Sequence, residues 1–99
     1  MAEETKEPFE SLAASLRVLV VDNDKAHART MGESLERVGY GVTVAVSGPE
    51  GVKHVESETF DIVVTDLMMN EIDGIGVLAK AKEVLPEAEV IVVTGHGTV

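Results

Sequence analysis

The sequence predicts an α/β domain built on a parallel sheet, and three observations carry that prediction. Four short runs rich in β-branched apolar residues punctuate the chain: Val18 to Val21, Val42 to Val46, Ile62 to Thr65 and Val90 to Thr94. Between them lie segments whose apolar residues recur at helical spacing, and strands alternating with helices imply right-handed crossovers and parallel pairing. The first run is also apolar at every position, the pattern of a central strand covered on both faces.

Each element has its own local reason. Residues 1–15 are rich in Glu, broken by Pro8 and without sustained apolar periodicity, so they read as a flexible acidic tail ahead of a domain spanning residues 16–99. After the first strand, Asp24 is an acceptable N-cap, Met31, Leu35 and Val38 mark a helix, and Gly39 is a natural stop. The second strand leads to Ser47 and Glu50, at capping-box spacing with Pro49 in the first turn, and to a short helix carrying Val52 and Val55. The third strand is followed by a loop containing Asp73 and Gly74. A third helix follows on Ile75, Leu78 and Leu85 and is stopped by Pro86. The fourth strand then runs into Gly95, His96 and Gly97. Its apolar edge has no later strand to cover it, and an uncovered edge invites pairing with a second chain, a possible homodimer through the fourth strand.

Size and charge exclude several function classes. Ninety-nine residues make one small domain. With 18 acidic against 8 basic side chains, the net charge of −10 opposes direct contact with nucleic acid or an anionic membrane surface. There is no cysteine, hence no disulfide framework, and no apolar run approaches the ~20 residues that span a bilayer. A cytoplasmic protein is the expectation.

Two of the predicted strands end on acids. The first leads into Asp22-Asn23-Asp24 and the third into Asp66. If these strands are parallel neighbours, their C-terminal ends meet in the crevice where open α/β sheets bind ligands. Two carboxylates about 4 Å apart repel by roughly 4 kcal/mol at an effective dielectric near 20, so such a pair tends to hold a cation or a proton.

In this arrangement the chain resembles the receiver domain of response regulators, the phosphorylatable module of two-component signalling. The likeness rests on Asp22-Asn23-Asp24, on Asp66 followed by Met68-Met69 and Asp73-Gly74, and on Thr94 at the end of the fourth strand. The Thr94-Gly95-His96-Gly97 wording is similar to receivers of the nitrogen-regulation type. The resemblance implies a flavodoxin-like sheet with strand order 2-1-3-4. It makes Asp66 the phosphoacceptor and Thr94 the switch hydroxyl. Asp22, Asn23, Asp24, Asp66 and the Met68 carbonyl become candidate ligands of Mg2+, and a sensor histidine kinase becomes the phosphoryl donor. Three departures from the family pattern stand out. Asn23 replaces a carboxylate, Asn70 occupies the place of a proline, and the family's last helix, strand and helix, with their lysine and aromatic switch residue, are not found before Val99.

Other readings compete at the same residues. Asp24 serves equally well as a helix cap, Thr94 as a β-branched strand end, and one of Met68 and Met69 as core filler. His27, His54 and His96 lack metal-ligand spacing and read as exposed side chains. The Gly74-Ile75-Gly76-Val77-Leu78-Ala79 stretch matches a dinucleotide fingerprint only in letters, since it follows a loop rather than a strand. A truncated receiver remnant acting through self-association is the alternative function. An enzyme reading, in which Asp22-Asn23-Asp24 resembles the paired acids of haloacid-dehalogenase-type phosphatases, would make Asp22 the nucleophile.

Overall fold

The computed structural model describes residues 15–66 and 74–93. Its elements run β1 (Arg17–Val21), α1 (Lys25–Val38), β2 (Gly41–Ala45), α2 (Gly48–Ser57), β3 (Ile62–Asp66), α3 (Gly74–Val84) and β4 (Glu89–Val93). All strand pairs are parallel, in the order β2-β1-β3-β4. That is the flavodoxin-like order expected from the sequence. The residues before Ser15, including the expected acidic tail, lie outside the described residues.

Why the helices sit where they do follows from handedness. The chain leaves β1 for β2 on one side, then returns past β1 to β3 and continues to β4. Right-handed crossovers made in opposite directions place their helices on opposite faces. Accordingly, Val18, Val20 and Val64 pack with Met31 and Leu35 of α1 on one face. Leu19, Val21 and Val63 pack with Val55 of α2 and Val77 and Ala81 of α3 on the other. β1 is central, and four of its five residues are buried.

Local chemistry sets the helix ends. The Asp24 side chain accepts a hydrogen bond from the His27 backbone N–H (3.1 Å), capping α1. Gly39 ends that helix at φ 122°, in the left-handed region that favours glycine, and its N–H donates to the Leu35 and Glu36 carbonyls. At α2, Ser47 Oγ accepts from the Glu50 N–H (3.1 Å), and Glu50 Oε1 accepts in return from the Val46 N–H (2.9 Å).

One detail differs from the sequence reading, and a second, at β4, agrees with it. Val38, expected on the buried stripe of α1, is 41% exposed, and the fully buried positions of that helix are the small residues Ala28 and Gly32. Small side chains let the helix backbone approach the sheet, so closeness rather than bulk seals this face. β4, though apolar in composition, is only partly covered: Ile91 is 52% exposed on the face where α1 packs over β1 and β2. No helix of the described residues is long and apolar enough to cross a membrane.

Candidate functional site

The change of winding direction occurs between β1 and β3, and it leaves a crevice at their C-terminal ends, where the two helices that leave the neighbouring strands diverge. The acidic residues stand at this crevice. The β1–β3 register pairs Val18 with Ile62, Leu19 with Val63, Val20 with Val64 and Val21 with Thr65. The ladder ends at Val21 and Thr65, and the next residue on each strand is an acid, Asp22 and Asp66, so continuing the register sets the two backbones about one interstrand spacing, ~4.8 Å, apart. Because strand side chains alternate, both acids continue the series on the α1 face, Val18 and Val20 on one strand and Ile62 and Val64 on the other.

Asp22 is buried, at 2% exposure. Its backbone N–H donates to the Ala45 carbonyl (3.1 Å), so β2 holds it in the ladder one residue past β1. Each of its carboxylate oxygens has a partner. Oδ1 accepts from the Asp24 backbone N–H (2.9 Å), and Oδ2 lies 2.5 Å from Nδ1 of His27. Asp66 is the last residue of β3, half-buried, and in register with Val93 of β4. Thr65, which precedes Asp66 and pairs with Val21 on the opposite face of the sheet, is wholly buried, and its Oγ1 has no hydrogen-bond partner among the described residues.

The other sequence candidates fall differently. Asn23 is exposed beside the crevice, and Asp24 is committed through Oδ1 to the cap of α1. Met68 and Thr94 lie outside the described residues, as does the loop through Asp73. His27, expected to be an exposed side chain, is exposed, and its ring also reaches the buried acid. The contact joins a residue two places before a helix cap to the third residue of that helix. Neither helical nor metal-site spacing signals such a pair.

The donor chemistry suits a hard cation. Mg2+ is usually bound by one or two carboxylates, with waters and phosphate oxygens completing an octahedron, so Asp22 and Asp66 form a sufficient protein share. No group of three or more acidic or histidine side chains converges on a metal position among the described residues.

Comparison with known proteins gives a consistent result. Residues 18–99 match the family model described as the response regulator receiver domain. The chain is 38% identical over 82 residues to the transcriptional regulatory protein GlrR of Escherichia coli (strain K12), covering 83% of this chain and 18% of that protein. It therefore spans about a fifth of the length of that relative. Among solved structures, a response regulator protein from Burkholderia pseudomallei with a phosphorylated aspartic acid, calcium ion and citrate superposes at a TM-score of 0.77 and 30% identity, over 85% of this chain and 49% of that one. Response regulator protein TrrA from Thermotoga maritima in complex with Mg2+-BeF superposes at 0.77 and 29% identity, over 83% of this chain and 71% of that one.

Proposed function

Since the chain belongs to the response regulator receiver domain family, a family of two-component signalling modules, we propose that Asp66 is its phosphoacceptor and that a sensor histidine kinase is the donor. The observation that supports this reading is the β1–β3 register, which ends at Val21 and Thr65 and so leaves Asp22 and Asp66 as the next residue of each strand at the crevice. Half-buried at a strand end, Asp66 is accessible to a donor, and the strand ladder holds its backbone still. A carboxylate oxygen of Asp66 attacks the phosphorus, the P–N bond to the kinase imidazole breaks, and the imidazole leaves with a proton from solvent. Asp22, together with Asp66, would hold Mg2+ beside the forming acyl phosphate. The bound ion supplies neutralisation of the phosphoryl oxygens. Thr94 is proposed as the hydroxyl that closes on the phosphoryl group, and the Met68 carbonyl as a further ligand. Relay of the signal to a transcriptional output, as the names of the relatives suggest, belongs to the same proposal.

Incubation with acetyl phosphate and Mg2+, followed by intact-protein mass spectrometry, tests it. One added phosphoryl mass is expected, lost in Asp66→Asn and in the absence of Mg2+. No mass change in the unmodified chain defeats the reading. Retention of phosphorylation in Asp66→Asn with loss in Asp22→Asn would move the acceptor to Asp22, as in the phosphatase alternative.

A second reading, self-association through β4, is supported by the half-exposed Ile91 on that strand. Sedimentation at micromolar concentration decides it: a dimer that Ile91→Lys dissociates is expected, and a monomer throughout removes it.

A further inference from the structure

The most singular feature of the crevice is that its buried acid is already capped by a side chain of the chain itself. Asp22 is 3% exposed at its side chain, whereas His27, whose Nδ1 sits on Oδ2, is 48% exposed at its own. A carboxylate oxygen only accepts, so Nδ1 carries the hydrogen of this contact. The backbone of His27 is held by its N–H, which donates to Asp24 Oδ1 (3.1 Å), and from that position its ring reaches Asp22 Oδ2. Oδ1 of Asp22 is meanwhile taken by the Asp24 N–H. The acid thus has one oxygen turned toward its own backbone turn and the other covered by an imidazole.

Oδ2 is the oxygen of Asp22 not tied to its own backbone turn, and a cation reaches it directly at about 2.1 Å or through a bound water. The imidazole nitrogen, 2.5 Å away, fills that approach. Asn23 adds no negative charge to draw the ion in. Only a side-chain rotation is required to clear the oxygen, because the part of His27 that is fixed is its backbone. On this basis we propose that His27 is an internal competitor for the cation: it occupies Asp22 in the resting protein, and Mg2+ binding proceeds by displacing it, so that this one side chain sets the cation affinity of the site. The inference rests on the reading of Asp22 and Asp66 as the cation-holding pair. Within that reading it assigns His27 a role that neither its spacing nor its exposure suggests.

The test is calorimetric titration of the full chain with Mg2+ alone, in the absence of any phosphoryl donor. His27→Ala is expected to bind Mg2+ about ten-fold more tightly than the unmodified chain, the scale of losing one competing hydrogen bond to a charged group. Lys25→Ala, which removes an exposed charge from the same turn without touching Asp22, is expected to stay within about two-fold. A second readout needs no variant. The ring signals of His27 in nuclear magnetic resonance spectra of the unmodified chain shift as Mg2+ is added, while those of His54, bonded to Glu58 at the far end of the sheet, do not. Equal affinity in His27→Ala, or unmoved His27 signals at saturating Mg2+, overturns the competition alone. Weaker binding in His27→Ala overturns it in favour of a ligand role. Absence of Mg2+ binding to both proteins overturns the cation pair and the competition together.

Discussion

Gly51 of α2 lies against Val21, the last residue of β1: a Cβ placed on Gly51 would stand 2.8 Å from Val21 Cγ2, 2.9 Å from Cγ1 and 3.4 Å from Cβ. Val21 immediately precedes Asp22, so this contact fixes the strand end that presents the buried acid. Because both γ carbons and the β carbon of Val21 are close, no rotation of the valine relieves the clash. Gly51→Ala is expected to destabilise the domain by about 1–3 kcal/mol, net of the up to ~1 kcal/mol that alanine contributes to a helix. Urea unfolding measures it, and a neutral or stabilising result would mean that α2 shifts freely on the sheet.

The Asp24 side chain caps α1 through Oδ1. Asp24→Ala is expected to lose about 1 kcal/mol of stability, and Asp24→Ser to stay within a few tenths of the unmodified chain, since a hydroxyl caps as well. Mg2+ affinity should follow neither substitution strongly. A marked fall in Mg2+ binding with Asp24→Ser would show that the carboxylate serves the ion.

Thr65, one residue before Asp66 and on the opposite face of the sheet, carries a buried hydroxyl with no partner among the described residues. Such an unsatisfied group costs roughly 1–3 kcal/mol, and an apolar side chain of similar shape avoids that cost. Thr65→Val is therefore expected to raise the urea midpoint at unchanged slope, by about 1–2 kcal/mol of stability. A lower midpoint would reveal a partner for Oγ1 in solution.

Glu58 ties the far end of the sheet. It accepts hydrogen bonds from Nδ1 of His54 (2.9 Å) and from Nη2 of Arg17 (2.7 Å), and Arg17 also stacks 5.2 Å over the ring of Phe60. The His54 bond first and the Arg17 bond second hold the Glu58 carboxyl below its usual value of 4.5. A depressed folded-state value means the unfolded chain takes up a proton first. The stabilisation is thus complete above about 4.5 and is lost as pH falls through the lower, folded value. The stability difference between the unmodified chain and Glu58→Gln should be present at neutral pH and close under acid conditions. A difference independent of pH would assign the effect to packing.

Much of this was readable along the chain because it is local. The strands declared themselves through β-branched runs, and the helix starts through Asp24 and Ser47, whose side chains act within three residues of themselves. Boundaries moved by a residue where pairing decided them. Asp66 belongs to β3 because it stands in register with Val93, and Val46 leaves β2 because its N–H goes to Glu50 instead of a strand. The stripe on α1 was misplaced by one position because hydrophobicity ranks Val38 above Gly32, while close approach to the sheet favours the smaller residue.

Composition and periodicity settled the class of fold, the parallel pairing and the presence of acids at two strand ends, since each depends on short-range propensity and on the handedness common to all L-residue chains. Only the folded arrangement decided that Asp22 and Asp66 follow the ends of adjacent, in-register strands, and that His27 bends back onto Asp22. Both outcomes depend on strand register and on the angle at which α1 leaves β1. Those quantities are set by packing between segments distant in sequence, here Gly51 against Val21 and Met31 and Leu35 over Val18 and Val20.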